Sequence, residues 1–565
     1  MLTVRFPVQG VSAVVPESTV LIDAARAAGI RVESPCNGAG RCGKCRMRVS
    51  KKHLEVLRVM GVGPLSDDEC AKGFVLACHA FVEGDLEAEV FSSESSDANI
   101  LSSGKQSFTK LDPPVRKIFL ESKNITQVTF DDIPGMEEAG DTTGSCYGAA
   151  VDIGTTTLVA ALTDLNTGDD LGAATCINPQ VLFGHDVLSR IRHAASLDGL
   201  MELHDAVVRE IDRMLRDLTD SIGVKPAHIY ELVLSGNTCM LHLAAGVNPR
   251  SLGRFPYSPV LRGGECISAR DAGFRLTDAA RIYFPPIISG FVGADITAGI
   301  IATRFHLDPG VVLFMDIGTN GEMVLSLNGR LAATSTAAGP AFEGMNITCG
   351  MRAAAGAVNE FSIEEGRIRV GAIGGTEPTG ICGSGLVDIV VELVSHGVLG
   401  LNGRFSKNPG IPGPIQERMS LNKGKSIFRI SDDVFLTQQD IRQVQLAKGA
   451  LRSGIDMLLF GNGLKYSDVD RVLIAGAFGF HLKTKNLVRM GILPAEFEGK
   501  IELVGNTSKT GAGALLLDRS LRREASRIVD RVNVIELAND PGFERTFIRN
   551  LAFPKGDLNS DEEDQ

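Results

Sequence analysis

The feature that most constrains the fold of this chain is a motif that occurs twice. Residues 150–159 and 313–324 each read as an apolar strand, an Asp-Ile-Gly-Thr turn and a second strand. Two further elements follow in both copies: an apolar strand that ends in a turn of small residues, and a helix that begins with small residues. They lie at 232–237 and 290–295 in the first copy, and at 472–479 and 505–512 in the second. Three elements in the same order predict a duplicated α/β domain from Tyr147 onward.

The two Asp-Ile-Gly-Thr turns predict a polyphosphate site. A tight turn of glycine and threonine presents successive backbone N–H groups to an anion, and two such turns facing each other across a cleft grip the phosphates from both sides. Asp152 and Asp316 would then face the phosphates, which makes chemical sense with Mg²⁺ between them, held largely through water. Two ordinary β-hairpins with polar turns are the alternative. The candidate nucleotide-binding residues are Gly154, Thr155 and Thr156 in the first turn and Gly318, Thr319, Asn320 and Gly321 in the second.

Four cysteines near the N-terminus predict an iron–sulfur cluster. Three of them lie in one loop with the spacing C-x5-C-x2-C, and the fourth lies far downstream. This pattern is close to the C-x4-C-x2-C…C spacing of plant-type [2Fe–2S] proteins, with one extra residue in the first gap. Glycines in the loop allow it to wrap closely and to adopt positive φ. The predicted ligands are Cys36, Cys42, Cys45 and Cys78.

Other uses of these cysteines fit less well. A zinc ribbon needs a second C-x2-C pair, and the sequence has only one. A thioredoxin-type dithiol uses Cys42 and Cys45 and leaves the other two without a role. Structural disulfides are typical of small secreted chains, whereas this chain has 565 residues. Cys70 lacks neighbouring glycines, and we interpret it as a thiol outside the cluster.

The sequence divides into four predicted parts, which are 1–91, 92–146, 147–555 and 556–565. The first contains two predicted strands, at 2–6 and 11–15, and a capped helix at 18–29, which is the order of an α+β β-grasp ferredoxin domain. The second begins as a serine-rich flexible linker, which cannot bury a core, and continues as a connecting region with a strand or two and an acidic loop. The third is the duplicated domain. The fourth is an acidic tail expected to be disordered.

Composition excludes several classes of protein. The net charge of −11 offers no basic face for nucleic acid. The N-terminus has no charged-then-apolar signal pattern, and no run of about 18 apolar residues is present to cross a membrane. Eleven cysteines without paired spacing, together with a cluster, indicate a reducing cytoplasm.

The duplicated domain resembles the actin, sugar-kinase and heat-shock-chaperone ATPase superfamily, whose fold is ribonuclease H-like. Asp152–Thr157 match its first phosphate motif and Asp316–Gly321 its second. Ile474–Gly479, which contains Gly476 and Ala477, is similar to its adenosine motif. The resemblance covers roughly residues 147–530 and implies that ATP is bound between the two copies.

The pairing of an N-terminal [2Fe–2S] unit with this ATPase resembles the reductive activators of corrinoid enzymes. Residues 339–344 and 379–386 are also similar to that family, and the second segment places Gly383 and Gly385 near the nucleotide. The resemblance implies an ATP-hydrolysing enzyme, with Asp152 and Asp316 as catalytic residues, that reduces a cobalt(II) corrinoid to cobalt(I). Some relatives carry an extra middle domain between linker and ATPase, and here only residues 92–146 are available for it.

The sequence is therefore compatible with three different functions. The first is the ATP-dependent activator, with a corrinoid protein and an upstream low-potential electron donor as partners; a homodimer is compatible with it. The second is a redox-regulated kinase of a small molecule, for which we identify neither a catalytic base nor a substrate pocket. The third is an electron carrier with a nucleotide fold as scaffold, which does not need both aspartates.

Overall fold

The structure is a computed structural model that describes most of the chain. The described residues are 1–30, 32, 45–61, 65–90, 110–406, 411–422, 424–476, 482–537 and 540–555. They form two compact units, which we describe separately. The first contains the described residues up to 90 and those of 340–446, and the second contains the described residues of 110–339 and 447–554. The predicted serine-rich linker and the predicted acidic tail lie outside the described residues.

The N-terminal residues form a small α+β domain. Its elements are β1 (Leu2–Phe6), β2 (Val11–Val15), α1 (Leu21–Ala27), β3 (Arg46–Val49), β4 (Leu57–Val59), α2 (Asp67–Ala71), β5 (Phe74–Leu76), β6 (Ala80–Val82) and β7 (Leu86–Val90). Five strands form one sheet in the order β2-β1-β7-β3-β5, in which only β1 and β7 are parallel. The buried side of α1 packs against β2, and this arrangement confirms the predicted β-grasp ferredoxin fold.

The first helix is shorter than we predicted. We expected it to begin at Ser18, but α1 begins at Leu21, and its N-cap residue, Val20, makes no side-chain capping hydrogen bond. Ser18 adopts a positive φ of 64° and donates its backbone N–H to Val82 O at 2.7 Å. This long-range bond holds the segment before the helix in a turn.

Residues 110–146 are more ordered than we predicted. In place of a strand or two and an acidic loop, they form an antiparallel sheet of three strands, in the order β10-β9-β8. These strands are β8 (Val115–Leu120), β9 (Ile125–Phe130) and β10 (Ile133–Ala139). Val115, Val128 and Phe130 pack into a core shared with the duplicated domain.

The first copy of the motif opens a six-stranded sheet. Its elements are β11 (Tyr147–Ile153), β12 (Thr157–Asp164), β13 (Asp170–Ile177), α3 (Val187–His193), α4 (Leu197–Ile222), β14 (Ile229–Gly236), α5 (Thr238–Ala244), β15 (Cys266–Ser268), β16 (Arg281–Tyr283) and α6 (Ala294–Thr303). The sheet order is β13-β12-β11-β14-β16-β15. All eight residues of β14 are buried, as expected for an apolar strand in the interior of a sheet covered on both faces.

The second copy contains a long insertion. It opens with β17 (Val311–Ile317), β18 (Gly321–Leu327) and β19 (Arg330–Thr336). The inserted elements, which belong to the first unit, are β20 (Ala357–Glu364), β21 (Arg367–Ala372), β22 (Gly380–Ile381), α7 (Gly383–Ser395), α8 (Gly413–Gln416), β23 (Met419–Asn422), β24 (Lys425–Arg429) and β25 (Phe435–Thr437). The remaining elements are α9 (Gln438–Gly461), β26 (Arg471–Ala475), α10 (Thr484–Met490), β27 (Ile501–Gly505), α11 (Thr507–Leu517), α12 (Arg519–Val529), β28 (Asn533–Val534) and α13 (Phe543–Arg549).

The two sheets have the same topology. The second runs β19-β18-β17-β26-β27, with β28 added beside β19, and so repeats the order β13-β12-β11-β14-β16 of the first. In both, the strand that carries the Asp-Ile-Gly-Thr turn is antiparallel to its hairpin partner and parallel to the strand on its other side. This repeat confirms the predicted duplicated, actin-like α/β fold.

The two copies meet through the helices α6 and α11. A Cβ atom on Gly511 of α11 would lie 1.9 Å from Ala298 O of α6, and one on Gly299 would lie 2.8 Å from the ring of Phe314. Glycine at 511 therefore allows the two helices to cross in direct backbone contact, and glycine at 299 allows α6 to pack closely on β17. The helix α11 begins directly after β27, and α6 follows β16 after a longer segment.

A membrane-spanning helix is absent from the part of the chain that the structure describes: none of its helices is long and apolar enough.

Candidate active site

The first Asp-Ile-Gly-Thr turn is fixed from behind by the protein. Gly154 O accepts from Asn178 Nδ2 at 2.8 Å, Thr156 O accepts from the backbone N–H of Asn178 at 3.0 Å, and Thr155 O accepts from the guanidinium of Arg190. Gly154 in turn donates its N–H to Thr157 O at 2.9 Å. The carbonyl groups of the turn are thus bound to donors on the protein side.

We call the amide side of the same turn open because its donors lack partners within the described part of the chain. The backbone N–H groups of Thr155 and Thr156 have no hydrogen-bond partner among the described residues. The Oγ1 atom of Thr156 is buried and is likewise unpartnered there, whereas Thr155 Oγ1 accepts from Asn237 Nδ2 at 3.0 Å. Buried polar groups without partners are uncommon and call for a ligand or water. The predicted phosphate site at Gly154, Thr155 and Thr156 therefore fits an oxyanion.

The second turn is closed in a similar way. Gly318 donates its N–H to Asn320 O at 2.9 Å, and Thr319 O accepts from the N–H of Gly339 at 2.8 Å. Gly321, the last predicted residue of this turn, starts β18, and a Cβ there would lie 2.2 Å from Leu451. The glycine at this position is explained by packing, and its predicted nucleotide contact stays a prediction.

Each copy places a glycine beside the Ile carbonyl of its Asp-Ile-Gly-Thr motif. A Cβ on Gly236 would lie 2.6 Å from Ile153 O, and one on Gly476 would lie 2.7 Å from Ile317 O. Gly476 has a φ of 101° and its Cβ would also lie 2.9 Å from Asp316 Oδ1. Only glycine fits a backbone this close to the carboxylate. Ala477, predicted beside it, lies outside the described residues.

Asp152 is held by the opposite copy. Its Oδ1 accepts from Ser508 Oγ at 2.7 Å and its Oδ2 from Asn506 Nδ2 at 2.9 Å. Ser235 Oγ lies 2.9 Å from Ser508 Oγ and extends the network, and the Oδ1 of Asn506 caps α11 by accepting from Lys509 N–H. The first predicted catalytic carboxylate is therefore oriented by the N-terminus of a helix from the second copy.

Two acidic residues that we did not predict lie with the predicted pair. Asp295 stands in the first turn of α6, and Glu322 is directly opposite Asp316 across the β17–β18 hairpin. Burial, followed by the nearby negative charges, raises the pKa of Asp316 to about 7 and that of Asp295 to about 8. The same causes hold the pKa of Glu322 well above its ordinary value, and burial raises that of Asp152.

This carboxylate group fits a cation, since like charges brought together away from water are costly unless neutralised. Within the described ranges, no three acidic, histidine or cysteine side chains are arranged to hold a metal ion directly. A magnesium ion bound largely through water needs no such arrangement. The position of Glu322 opposite Asp316 could have been predicted from the hairpin, because two residues equally distant from a tight turn face each other across it.

Gly383 and Gly385 belong to the other unit. They lie in the first turn of α7, after the N-cap residue Cys382. A Cβ on Gly385 would lie 2.0 Å from Val358 O, so the helix packs directly on β20 there. Cys382 is buried and its Sγ contacts the same carbonyl at 3.2 Å, as a small packed residue does. The nucleotide contacts of both glycines stay predictions.

Two of the predicted cluster ligands are described, and they converge. Cys45 and Cys78 are both buried, and their Sγ atoms lie 3.2 Å apart. The N–H of Ala77 bonds to Cys45 O at 2.9 Å and fixes the two segments side by side. Two thiols at this separation fit adjacent ligands of one iron centre. Cys36 and Cys42 lie outside the described residues, so the complete set of four stays a prediction.

Three family models match the chain and divide it at the boundaries between its parts. A 2Fe-2S iron-sulfur cluster binding domain matches residues 7–83, the RACo middle region matches 147–308, and the C-terminal domain of RACo, the ASKHA domain, matches 310–563. The RACo middle region coincides with the first copy of the duplicated fold. Our division of the chain into a connecting region at 92–146 and an ATPase domain at 147–555 stays a prediction.

Named relatives resemble the chain over most or nearly all of its length. The corrinoid activation enzyme RamQ of Eubacterium limosum is 29% identical, across 98% of this chain and 99% of the relative. The [Co(II) methylated amine-specific corrinoid protein] reductase of Methanosarcina barkeri is 26% identical, across 72% of this chain and 77% of the relative. A solved structure of a reductive activator for corrinoid, iron-sulfur protein has 30% identity and a TM-score of 0.72, with 99% of each chain covered. With its cluster-binding domain, its duplicated actin-like domain and these matches, the chain belongs to the family of reductive activators of corrinoid proteins.

Proposed function

We propose that this chain is an ATP-dependent reductive activator, which passes one electron to the cobalt(II) of a corrinoid protein and so restores cobalt(I) for methyl transfer. The observation that supports it most directly is the open amide face of the Thr155–Thr156 turn beside the partly buried Asp152 and Asp316, in a chain that also brings Cys45 and Cys78 together. The relatives named for corrinoid activation support the choice of substrate.

The cysteines provide the electron-carrying site. A bound [2Fe–2S] cluster accepts and releases one electron at a time, and plant-type clusters have potentials near about −400 mV. Cys36, Cys42, Cys45 and Cys78 would hold it as thiolates. The burial of Cys45 and Cys78 excludes water from two of the four ligand positions. An upstream donor of low potential must supply the electron.

ATP makes an unfavourable electron transfer possible. For a one-electron couple, each 59 mV of unfavourable potential lowers the equilibrium constant about tenfold, so a cobalt couple more negative than the cluster requires a second source of free energy. The N–H groups of Thr155 and Thr156 bind phosphate oxygens. Asp152 and Asp316 would hold Mg²⁺ through bound water, and the ion would supply positive charge that relieves the repulsion among the carboxylates.

The crossing of α6 and α11 offers a route from the nucleotide to the rest of the molecule. Ser508 and Asn506 at the start of α11 contact Asp152, and Asp295 at the start of α6 lies in the field of Asp316. A nucleotide that binds both turns favours the arrangement in which the two copies are closest. A ligand shifts a conformational equilibrium only through such a difference in affinity.

The test is anaerobic reduction of a cobalt(II) corrinoid protein. The protein is reduced, freed of excess reductant and mixed with the corrinoid protein, and cobalt(I) absorbance is followed with and without Mg-ATP. We expect reduction to require ATP, and to be lost in Asp152→Ala and Asp316→Ala, whose cluster spectra stay intact. Asp220→Ala, an exposed carboxylate on α4, is the matched control. Equal reduction without ATP contradicts the proposal, and phosphorylation of a small molecule instead favours the kinase.

A further inference from the structure

Arg190 of α3 is a completely buried cation whose partners are all neutral. Its side chain has 0% exposure. The guanidinium donates to Gly184 O at 2.9 Å, to Gln180 Oε1 at 3.2 Å, to the sulfur of Met240 at 2.9 Å and to Thr155 O. Among the described residues it forms no ion pair. The molecule therefore holds a positive charge in its interior directly behind the first Asp-Ile-Gly-Thr turn.

Such a charge is expensive. A buried ion without a counter-ion strongly destabilises the folded state even after the protein relaxes around it, and neutral acceptors offset only part of that effect. Burial lowers the pKa of Arg190 to about 10, so it remains protonated at neutral pH. Two nearby groups raise the pKa of Arg190 against burial, first Cys239 and then Asp186. Burial raises the pKa of the Cys239 thiol to about 12, so this thiol is neutral at neutral pH, and the carboxylate of Asp186 accepts the N–H of Ser189 as the helix cap. The full counter-charge is thus not supplied by the described side chains.

The position of the guanidinium indicates where the counter-charge binds. Arg190 donates to the carbonyl of the peptide that joins Thr155 to Thr156, and the N–H of that same peptide belongs to the open face of the turn. A charge-assisted hydrogen bond to a carbonyl polarises its peptide and makes the N–H on the other side a stronger donor. The charge of Arg190 therefore strengthens the binding of an anion at the turn through a single polarised peptide group.

We infer that Arg190 is a positioning residue for the nucleotide: it holds the Thr155–Thr156 peptide with its N–H toward the phosphates, and its buried charge is the counter-charge of the polyphosphate. The inference rests on the proposed function, since it requires ATP at this turn. It predicts a preference for ATP over ADP and adenosine, because the contribution of Arg190 to binding increases with the number of phosphate charges. Adenosine, which has none, gains nothing from it.

The experiment compares adenosine, ADP and ATP by calorimetric titration in the presence of Mg²⁺. In Arg190→Met the affinity for ATP should fall about tenfold or more, as expected for a unit charge in a partly shielded interior. The affinity for ADP should fall less, and that for adenosine should stay within about twofold, the scatter expected of a neutral contact. Arg192→Met, an exposed arginine two residues further along α3, is the matched control and should leave all three unchanged.

A second variant, with its control, pairs the charge of Arg190 with a carboxylate and keeps the guanidinium in place. Met240→Glu places a carboxylate where the sulfur now contacts the guanidinium, so the cation is paired in place. We expect this variant to fold and to lose the preference for ATP over adenosine, while Met240→Gln keeps it. These variants decide the matter if Arg190→Met does not fold.

The outcomes separate the inference from the function on which it rests. A wild-type protein that does not bind Mg-ATP overturns both. A wild type that binds, with equal losses for adenosine and ATP in Arg190→Met and an unchanged preference in Met240→Glu, leaves the proposed function standing and overturns the role of Arg190. A loss that increases from adenosine to ATP supports it.

Discussion

Asp152 Oδ1 accepts a hydrogen bond of 2.7 Å from Ser508 Oγ, which is the second residue of α11 in the opposite copy of the duplicated domain. The equivalent position in α6 is occupied by Asp295, which lies in the field of Asp316. The pseudo-symmetry therefore pairs one of the predicted catalytic aspartates with a hydroxyl donor and the other with a second carboxylate. Asp152 has two side-chain donors from the opposite copy, whereas Asp316 lies near further acidic groups, which raise the pKa of their cluster.

Replacing Ser508 by Ala should weaken ATP hydrolysis without affecting the cluster. The substitution removes one of two donors to the partly buried Asp152 carboxylate, and a lost partner of this kind destabilises by about 1–3 kcal/mol. We expect roughly a tenfold or larger fall in the rate of hydrolysis at saturating Mg-ATP, by the same conversion of energy into rate. Steady-state phosphate release measures it, and Ser526→Ala, an exposed serine of α12, should match the wild type. Unchanged hydrolysis in Ser508→Ala would show that Asp152 is held without it.

Gly476→Ala should damage nucleotide binding more than a surface substitution does. The new Cβ would lie 2.7 Å from Ile317 O and 2.9 Å from Asp316 Oδ1, at a φ of 101° that alanine rarely adopts. The backbone must shift and move the Asp316 carboxylate with it. ATP affinity by calorimetry and melting temperature by circular dichroism measure the effect. Gly499→Ala, at a positive φ with no atom within 4 Å of its Cβ, controls for backbone strain alone.

The duplicated fold was predictable because its signal repeats. The Asp-Ile-Gly-Thr turns occur in two equivalent hairpins, and the strands beside them are apolar along their length, so pattern and order agreed. The β-grasp domain was predictable from β1, β2 and the cysteine spacing. The sheet of β8, β9 and β10 was not, because β10 is largely exposed and its sequence, Ile133–Ala139, carries proline, glycine and two glutamates.

The electrostatic part of the site was only half predictable. Asp152 and Asp316 are marked by their motif, whereas Asp295 becomes part of the site only through the packing of α6. Arg190 has no local signal at all: an arginine on a short helix reads as solvent-exposed, and its burial depends on contacts with Thr155 and Met240, which are distant in sequence. Tertiary contacts of this kind cannot be predicted from the hydrophobic periodicity of the sequence.

The cysteine assignment predicts that substitutions at the ligand cysteines remove the cluster, whereas a substitution at Cys70 does not. Cys45→Ala or Cys78→Ala should abolish the [2Fe–2S] signal, because the two sulfurs lie 3.2 Å apart in the predicted ligand set. Cys70→Ala should keep it, since Cys70 lies on α2 outside that pair. Iron and sulfide analysis, with electron paramagnetic resonance of the reduced protein, measures both. Zinc in place of iron, or a cluster lost only in Cys70→Ala, would contradict the assignment.

Lys448 should make the stability of the protein depend on pH in the alkaline range. It is buried, and its Nζ donates to Asn550 O at 2.7 Å and to Ala552 O, which holds the segment after α13 against α9. Burial lowers the pKa of Lys448 to about 8, from the 10.5 of an ordinary lysine. Between these values the unfolded chain binds more protons than the folded protein, so this group makes folding more favourable as pH rises.

The measurement is urea denaturation followed by far-ultraviolet circular dichroism, since the chain has no tryptophan. Wild type and Lys448→Met are compared from about pH 7 to pH 10, a window that spans the folded pKa and approaches the unfolded one. The free energy of unfolding of the wild type should rise relative to the variant across this range, because the neutral amine keeps its hydrogen bonds and loses the cost of a buried charge. Lys465→Met, an exposed lysine after α9, should show no such trend. A constant difference between wild type and Lys448→Met would mean that Lys448 does not titrate in this window.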